Sequence, residues 1–333
     1  MFTNTNTTSN LHKISIAPMM DCTDKHFRMI MRQITSKALL YTEMIVAQSL
    51  YFNDRKEKFL NFNEEEHPIS IQFGGEDPLF LKEAARMAKD WGYDEINFNV
   101  GCPSPRVSSG NFGASLMNSP YKVAKCVESL KNNSNLPITI KHRIGVDSND
   151  TFSNLNSFVR DIKLAGADRF IVHARKAILK GLSPKENRII PPLRYDIVEK
   201  LKEENPNLII EINGGITNIR ECKKALSKFD GVMIGRSAYK HPLRWINIDN
   251  TFYGQKSKSK KPSQIILGLI PYIEKCLEEE RTTWNVCKHL IYLIEGIPNA
   301  KKWRNSLATE SISKKLTITK LIELTLEIKK LGY

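Results

Sequence analysis

Short runs of β-branched and aliphatic residues recur along most of the chain, each followed by a stretch whose apolar residues fall three and four positions apart. The first kind reads as buried strand and the second as amphipathic helix. The strand candidates are Ile14 to Pro18, Leu39 to Met44, Ile69 to Phe73, Glu95 to Val100, Ile138 to Arg143, Arg169 to Ala174, Leu208 to Asn213 and Gly231 to Gly235. Between them lie Asp77 to Trp91, Pro120 to Lys131, Thr151 to Leu164, Tyr195 to Glu203 and Asn218 to Ser227 with helical spacing. Eight strand–helix units in succession predict a (β/α)8 TIM barrel, which typically takes about 250 residues. A doubly wound open sheet is the alternative, but no G-x-G-x-x-G follows any strand, so a Rossmann dinucleotide site is not indicated.

The pattern changes after Phe252, where GQKSKSKKPS is polar and basic, and helical spacing resumes over Ser263 to Glu280, Trp284 to Glu295 and Ile318 to Leu331, with a break at Gly296 to Pro298. The expected organisation is a polar tail over 1–12, a barrel over 13–250, a basic linker over 251–262 and a small all-α helical domain over 263–333. MFTNTNTTSNLH lacks the basic and apolar regions of a signal peptide, and no apolar run approaches the roughly 18 residues of a membrane span, so a soluble protein is expected. The six cysteines contain no C-x-x-C pair, which disfavours zinc ribbons and cysteine-ligated iron–sulfur clusters; a reducing cytoplasm fits. A formal charge of +14 points to a polyanionic partner, although a coding bias toward Lys, Asn and Ile would produce the same surplus.

The polar residues at the strand ends supply the candidate chemistry. They are Met19, Met20 and Asp21; Glu43; Gln72; Asn97, Asn99 and Cys102; Lys141 and Arg143; His173 and Arg175; Asn213, Gly214 and Gly215; Gly235 and Arg236. In a barrel these ends converge on one face, where active sites are built. A sheet buried on both sides leaves little tolerance for such groups deeper inside. Cys102, between Gly101 and Pro103, sits on backbone that glycine lets turn and proline stiffens. The NGGIT and GRSAY turns each lead into a helix whose free N–H groups could face a phosphate, with Arg236 adding a charged fork. A flavin mononucleotide (FMN) suits this, having one terminal phosphate and a ring wide enough to reach Pro18, Met19, Gln72, Lys141 and His173.

PMMDCTDKHFR, LYTEM, IQFGG, NFNVGCPS, IKHRIG, VHARKAILKGLSPKENR, INGGI and GVMIGR resemble, in order and spacing, the tRNA-dihydrouridine synthases, and look most like the subfamily acting on D-loop uridines 20 and 20a. The resemblance runs from about Ile14 to Tyr239 and continues more weakly through EGIPNAKKWRN. It implies an FMN-bound barrel, NADPH as reductant and a helical tRNA-binding domain. Flavin contacts then fall on Pro18, Met19, Met20, Gln72, Lys141, His173, Asn213, Gly214, Gly215, Gly235 and Arg236, and the active-site cysteine on Cys102. Contacts to tRNA fall on Asn99, Lys185, Arg188, Lys301 and Arg304, with Trp303 among the basic residues of an RNA-facing surface. Two positions depart from the family pattern: Ser115, where relatives often have a second cysteine, and Cys22, usually a larger residue.

Reducing the C5–C6 bond of uracil takes a hydride at C6 and a proton at C5. A thiol of ordinary acidity is mostly protonated at neutral pH and can serve as the acid. Without a separate nucleotide fold, NADPH and tRNA are expected to take turns at one flavin face, and the uridine must swing out to reach it, with Asn99 placed to read its edge. A dihydroorotate-type oxidoreductase acting on a free pyrimidine is an alternative, disfavoured by the basic C-terminal extension. A catalytically silent RNA-binding barrel is another, disfavoured by the intact Cys102, Lys141 and His173.

Overall fold

Eight parallel strands, β1 (Ile14–Ile16), β2 (Leu40–Val46), β3 (Ile69–Gly74), β4 (Glu95–Val100), β5 (Ile138–Arg143), β6 (Arg169–His173), β7 (Ile210–Asn213) and β8 (Gly231–Ile234), form one sheet. Their order is β1-β8-β7-β6-β5-β4-β3-β2. The sheet closes where Ile16 N–H donates to Leu39 O at 2.9 Å and Leu39 N–H to Ile14 O at 3.1 Å. This computed structural model describes residues 12–256, 259–280, 284–296, 298–313 and 316–333, so the tail expected over 1–12 lies, apart from His12, outside the described residues. The fold is the (β/α)8 barrel that the periodicity predicts, and each strand lies within two residues of its expected bounds.

Helices Pro78–Asp90, Pro120–Asn133, Phe152–Leu164, Tyr195–Glu204 and Ile219–Leu226 follow β3 to β7 and cover the sheet with apolar stripes such as Val123, Cys126, Val127 and Leu130. The helix Lys25–Ile34, which follows β1, was not among the predicted elements. Its KHFRMIMRQI reads as mixed because Arg28 and Arg32 are turned inward: Arg28 Nε donates to Glu66 at 2.5 Å, and Arg32 donates to the carbonyls of Thr35, Glu66, Ala38 and Pro68.

Inside the barrel, alternation along the strands sorts side chains into layers. Ser15, Ser70, Glu95, Thr139, Arg169 and Glu211 occupy the layer near the strand starts, and all are buried. Arg169 pairs there with Glu95 at 2.6 Å and Glu211 at 3.3 Å. The interior therefore accepts charge well below the strand ends, contrary to expectation, because the groups are paired and hydrogen-bonded to one another. Ala17, Leu39, Tyr41, Ile171 and Met233 form a separate apolar cluster, and Met19 packs against it.

Beyond the helix Ile248–Tyr253, helices Pro262–Gly268, Ile270–Glu280, Trp284–Leu290, Ala300–Ile312 and Ile318–Lys330 complete the chain. They dock on the β1 side of the barrel. Asp24 caps the helix Lys25–Ile34 and also meets Lys288 at 2.9 Å and His289 at 3.0 Å. His26 Nδ1 lies 2.7 Å from the Tyr272 hydroxyl, and Phe27 stacks obliquely on both Tyr239 and His289. No helix among the described residues is long and apolar enough to cross a membrane.

Candidate active site

The loop leaving β4 is fixed from several directions around Cys102, whose side chain is half-buried. The N–H groups of Gly101 and Cys102 both donate to Asn99 Oδ1, at 3.1 and 3.0 Å. Arg143 Nε donates to Gly101 O at 3.1 Å, and Ala114 N–H to Cys102 O at 2.9 Å. A Cβ at Gly101 would press on the β5 backbone at 3.2 Å, so glycine gives the loop its close approach to β5. Arg143 is buried, and its Nη1 also donates to the carbonyls of Lys176 and Asn187, both at 3.0 Å, so one guanidinium ties the β4 loop to the β6 loop. Asn187, wholly buried, closes that second loop by bonding Ile178 through both its carbonyl and its amide, each at 2.8 Å.

Cations gather around this thiol. Lys141 donates to Asn213 Oδ1 at 3.2 Å, and burial, with repulsion from Arg143, brings its pKa down to about 8. Burial also lowers Arg143 to about 10. His173 is held well below the usual imidazole range by burial and then by Arg143 and Lys141, and its buried Nδ1 has no hydrogen-bond partner. Arg175 is tied to the carbonyls of Pro191 and Ile189, and Arg236 donates to Arg188 O at 3.2 Å. Arg188 is lowered by burial and by Arg236, while its charge is favoured by Cys102 and Cys22. Among the described residues, none of Lys141, Arg143, Arg175, Arg188 and Arg236 forms an ion pair with a carboxylate. The hydrogen-bond partners of Lys141, Arg143, Arg175 and Arg236 are neutral carbonyl oxygens, which leaves their positive charge for an anion.

On the opposite side, the register of β2 against β3 shifts between Tyr41 and Met44, a kink of the kind that re-aims side chains near active sites. Glu43 beyond it accepts the Cys22 N–H at 3.1 Å; burial and then Asp24 raise its carboxyl pKa. Cys22 is pushed up to about 11 by burial and then Glu43, so its thiol stays protonated and passive. Ser115 donates to Phe112 O at 3.0 Å.

Gly214 and Gly215 have φ of 113° and 75°, and a Cβ on Gly215 would lie 2.5 Å from Leu193 Cδ1. The Tyr195 hydroxyl donates to Gly214 O. In the helix beyond them Asn218 takes the Glu221 N–H, and Glu221 takes the N–H of Thr217 just before the helix. The helix after Gly235, Arg236–Lys240, is a single short turn.

Strand direction thus brings Pro18, Met19, Gln72, Asn99, Cys102, Lys141, His173, Asn213, Gly214, Gly215, Gly235 and Arg236 to one end of the barrel. Met20 is 54% exposed beside them. Lys185 is exposed at the start of the Glu186–Arg188 turn in the β6 loop. Lys301 and Arg304 are not in this group; they lie on the helix Ala300–Ile312, Lys301 exposed and Arg304 half-buried with Nη1 donating to Ile294 O at 2.6 Å. Trp303 is a correction. It is 5% exposed and its indole N–H donates to Leu324 O at 3.1 Å, so it anchors the last helix instead of facing RNA. Arg143 and Asn187 are structural keys to which the sequence reading assigned no role; Arg143 was visible as a strand-end cation, whereas nothing in KENR marks Asn187 as buried.

A (β/α)8 barrel with a loop thiol, a half-buried lysine and histidine, and glycine turns after its last two strands defines a cofactor-using barrel enzyme. The chain matches the Dihydrouridine synthase (Dus) family over residues 15–329 and belongs to that family. It is 49% identical over 304 residues to a tRNA-dihydrouridine(20/20a) synthase of Synechocystis sp., covering 91% of each chain. It is 43% identical over 306 residues to the protein of that name in Shewanella oneidensis, covering 92% of this chain and 91% of the relative. Among solved structures it resembles a 2-naphthoyl-CoA reductase in complex with 2-naphthoyl-CoA, with a TM-score of 0.57 and 10% identity. That match covers 73% of this chain and 50% of the other, and at this identity shows a shared fold alone.

Proposed function

We propose that this protein reduces uridine in tRNA to 5,6-dihydrouridine, at positions 20 and 20a of the D-loop, with FMN in the barrel mouth and NADPH as reductant. The observation that carries the reading is the cluster of cations without carboxylate partners at the barrel mouth, with Lys141, Arg143 and Arg188 beside the half-buried thiol of Cys102 and Arg175 and Arg236 beside His173. These residues fit a flavin phosphate and an electron-rich ring: Arg236 and the left-handed glycines 214 and 215 suit the phosphate, and Lys141 and the unpartnered Nδ1 of His173 suit the ring. Pro18, Met19, Met20, Gln72, Asn213 and Gly235 complete the proposed cradle. When bound and reduced, the flavin supplies the hydride that C6 of the uracil requires.

The remaining steps belong to the chain's own groups. Cys102 donates its proton to C5 from the loop that Asn99 and Arg143 hold. Asn99 spends its carbonyl on the loop and one N–H on Gln72, which leaves one N–H to read the edge of the uracil. Lys185 and Arg188 beside the mouth, and Lys301 and Arg304 on the helical part, are placed to meet phosphates of the tRNA. A cytoplasmic setting, where tRNA and NADPH are both at hand, fits this activity.

Replacement of Cys102 by Ala tests the assignment. The variant should keep its flavin, its reduction by NADPH and its tRNA affinity, while dihydrouridine formation falls by about 10²- to 10⁴-fold, the usual loss for a positioned acid. A normal rate in the variant would assign the proton to another group. Turnover of free uracil or orotate at rates rivalling those on tRNA would replace the substrate class.

A further inference from the structure

An unbroken chain of hydrogen bonds runs from the barrel floor to the loop of the catalytic thiol. The Cys102 N–H donates to Asn99 Oδ1 at 3.0 Å, and Asn99 Nδ2 to Gln72 Oε1 at 2.9 Å. Gln72 Nε2 donates to Asn97 Oδ1 at 2.7 Å, Asn97 Nδ2 to Thr139 Oγ1 at 2.9 Å, and the Thr139 hydroxyl to Glu95 Oε1 at 2.7 Å. Gln72, Asn97, Asn99, Thr139 and Glu95 are all buried.

The chain has one polarity, set independently at both ends. At the top, backbone N–H groups of residues 101 and 102 can only donate, so Asn99 must present its oxygen to them. Asn99 must then donate to Gln72, Gln72 to Asn97, and Asn97 to Thr139. At the bottom, Glu95 accepts from Tyr41, Ser70, Thr139 and Arg169, at 2.9, 3.0, 2.7 and 2.6 Å. A carboxylate with four donors is an acceptor, and Thr139, having given its one proton to Glu95, can only accept from Asn97. Both ends demand the same orientation of every amide, so no amide in the chain can flip without leaving two buried groups unpaired.

We propose that Glu95, acting through Thr139, Asn97, Gln72 and Asn99, sets the orientation of the Cys102 loop, and that Thr139 is a positioning residue for the proton transfer. The proposal extends the reading of Cys102 as the acid. The link that isolates it is Thr139, which does not reach the mouth and meets the Arg169–Glu95 ion pair only through the hydrogen bond to Glu95 Oε1 that the chain itself uses. Thr139→Val keeps the shape and removes the hydroxyl. Thr139→Ser keeps the hydroxyl and removes a methyl. A packing role and a hydrogen-bonding role therefore predict opposite rankings of the two variants.

The experiment compares wild type, T139V and T139S by two readouts. One is the rate of alkylation of Cys102 by iodoacetamide as a function of pH, read by mass spectrometry of the Cys102 peptide. The other is single-turnover formation of dihydrouridine on tRNA. T139V is expected to change the alkylation rate at least threefold and to slow dihydrouridine formation about tenfold or more, and T139S to stay within about threefold of wild type in both. Alkylation in T139V indistinguishable from wild type would overturn the proposal, as would T139S being the more impaired variant. Altered alkylation with normal turnover on tRNA would uphold the positioning of the loop and overturn the assignment of Cys102 as the acid. If T139V does not fold, Asn97→Leu cuts the same chain one link higher, and unchanged Cys102 alkylation there would equally overturn it.

Discussion

Lys141 is a buried ammonium whose nearest hydrogen-bond partner is a neutral amide and whose neighbour is the like-charged Arg143. Its pKa of about 8, against an ordinary 10.5, means the folded state binds this proton less tightly than the unfolded chain does. Below pH 8 both states are protonated and the folded flavin-free protein bears the full penalty. Between pH 8 and 10.5 the unfolded chain holds more protons, so stability rises with pH through that window. Lys141→Met should therefore stabilise the flavin-free protein at pH 7 by about 1–3 kcal/mol and flatten the rise above pH 8, while nearly abolishing activity. Urea unfolding at pH 7 and pH 9 checks this; a Met variant less stable at pH 7 would show that the ammonium is well held without a ligand.

At the scale of elements, the turns after β7 and β8 carry the phosphate reading. Asn218 uses one first-turn donor of the helix Ile219–Leu226, the Glu221 N–H, so part of the burden falls on the glycine backbone and Arg236. Arg236 is exposed and bonds the carbonyl of Arg188 at 3.2 Å, an arrangement that holds the guanidinium without neutralising it. Arg236→Ala should weaken FMN binding by about 1–2 kcal/mol, less than a buried charge-assisted bond because solvent screens it. A fluorescence titration of flavin-free protein measures this as a dissociation constant raised about 5- to 30-fold. Activity should return at saturating FMN; full flavin affinity in the variant would assign Arg236 to the tRNA.

At the scale of the whole molecule, the helical part is fastened to the barrel through Asp24, which is at once a helix cap and the partner of Lys288 and His289. Burial opposes the charge on Asp24, but His289 and the cap N–H groups outweigh it and hold the carboxyl well below its usual range. That junction adjoins the Met19–Cys22 turn of the mouth, so the helical part and this turn share one anchor. Lys301 and Arg304 stand on the helical side. Replacing both by Ala should weaken tRNA binding and reduce the slope of log affinity against log salt by just under one unit per lost phosphate contact, with NADPH oxidation in the absence of tRNA unchanged. Because Arg304 also holds Ile294 O at 2.6 Å, Lys301→Ala alone should account for one contact without that structural cost. Binding equal to wild type at every salt concentration would make this helix a solvated cap.

The sequence by itself determined the barrel, the strand ends that meet at its mouth and the family, because strand–helix alternation, period-two parity and the long HARKAILKGLSPKENR motif are local features. The parity that turns Lys141 inward also turns Thr139 inward, so one link of the chain below Cys102 was legible in ITIKHR. What only the tertiary structure decided depends on partners far away in the chain. Trp303 is buried because Leu324 supplies its acceptor, and Glu95 and Arg169 are tolerated in the core because they meet 74 residues apart. The direction of each amide between Glu95 and Cys102 is a property of the closed network, set where donors that can only give meet an acceptor that can only take. Glu95, Asn97 and Asn99 share β4, but the links that join them, Thr139 and Gln72, come from β5 and β3, and so no reading of one strand at a time could have fixed it.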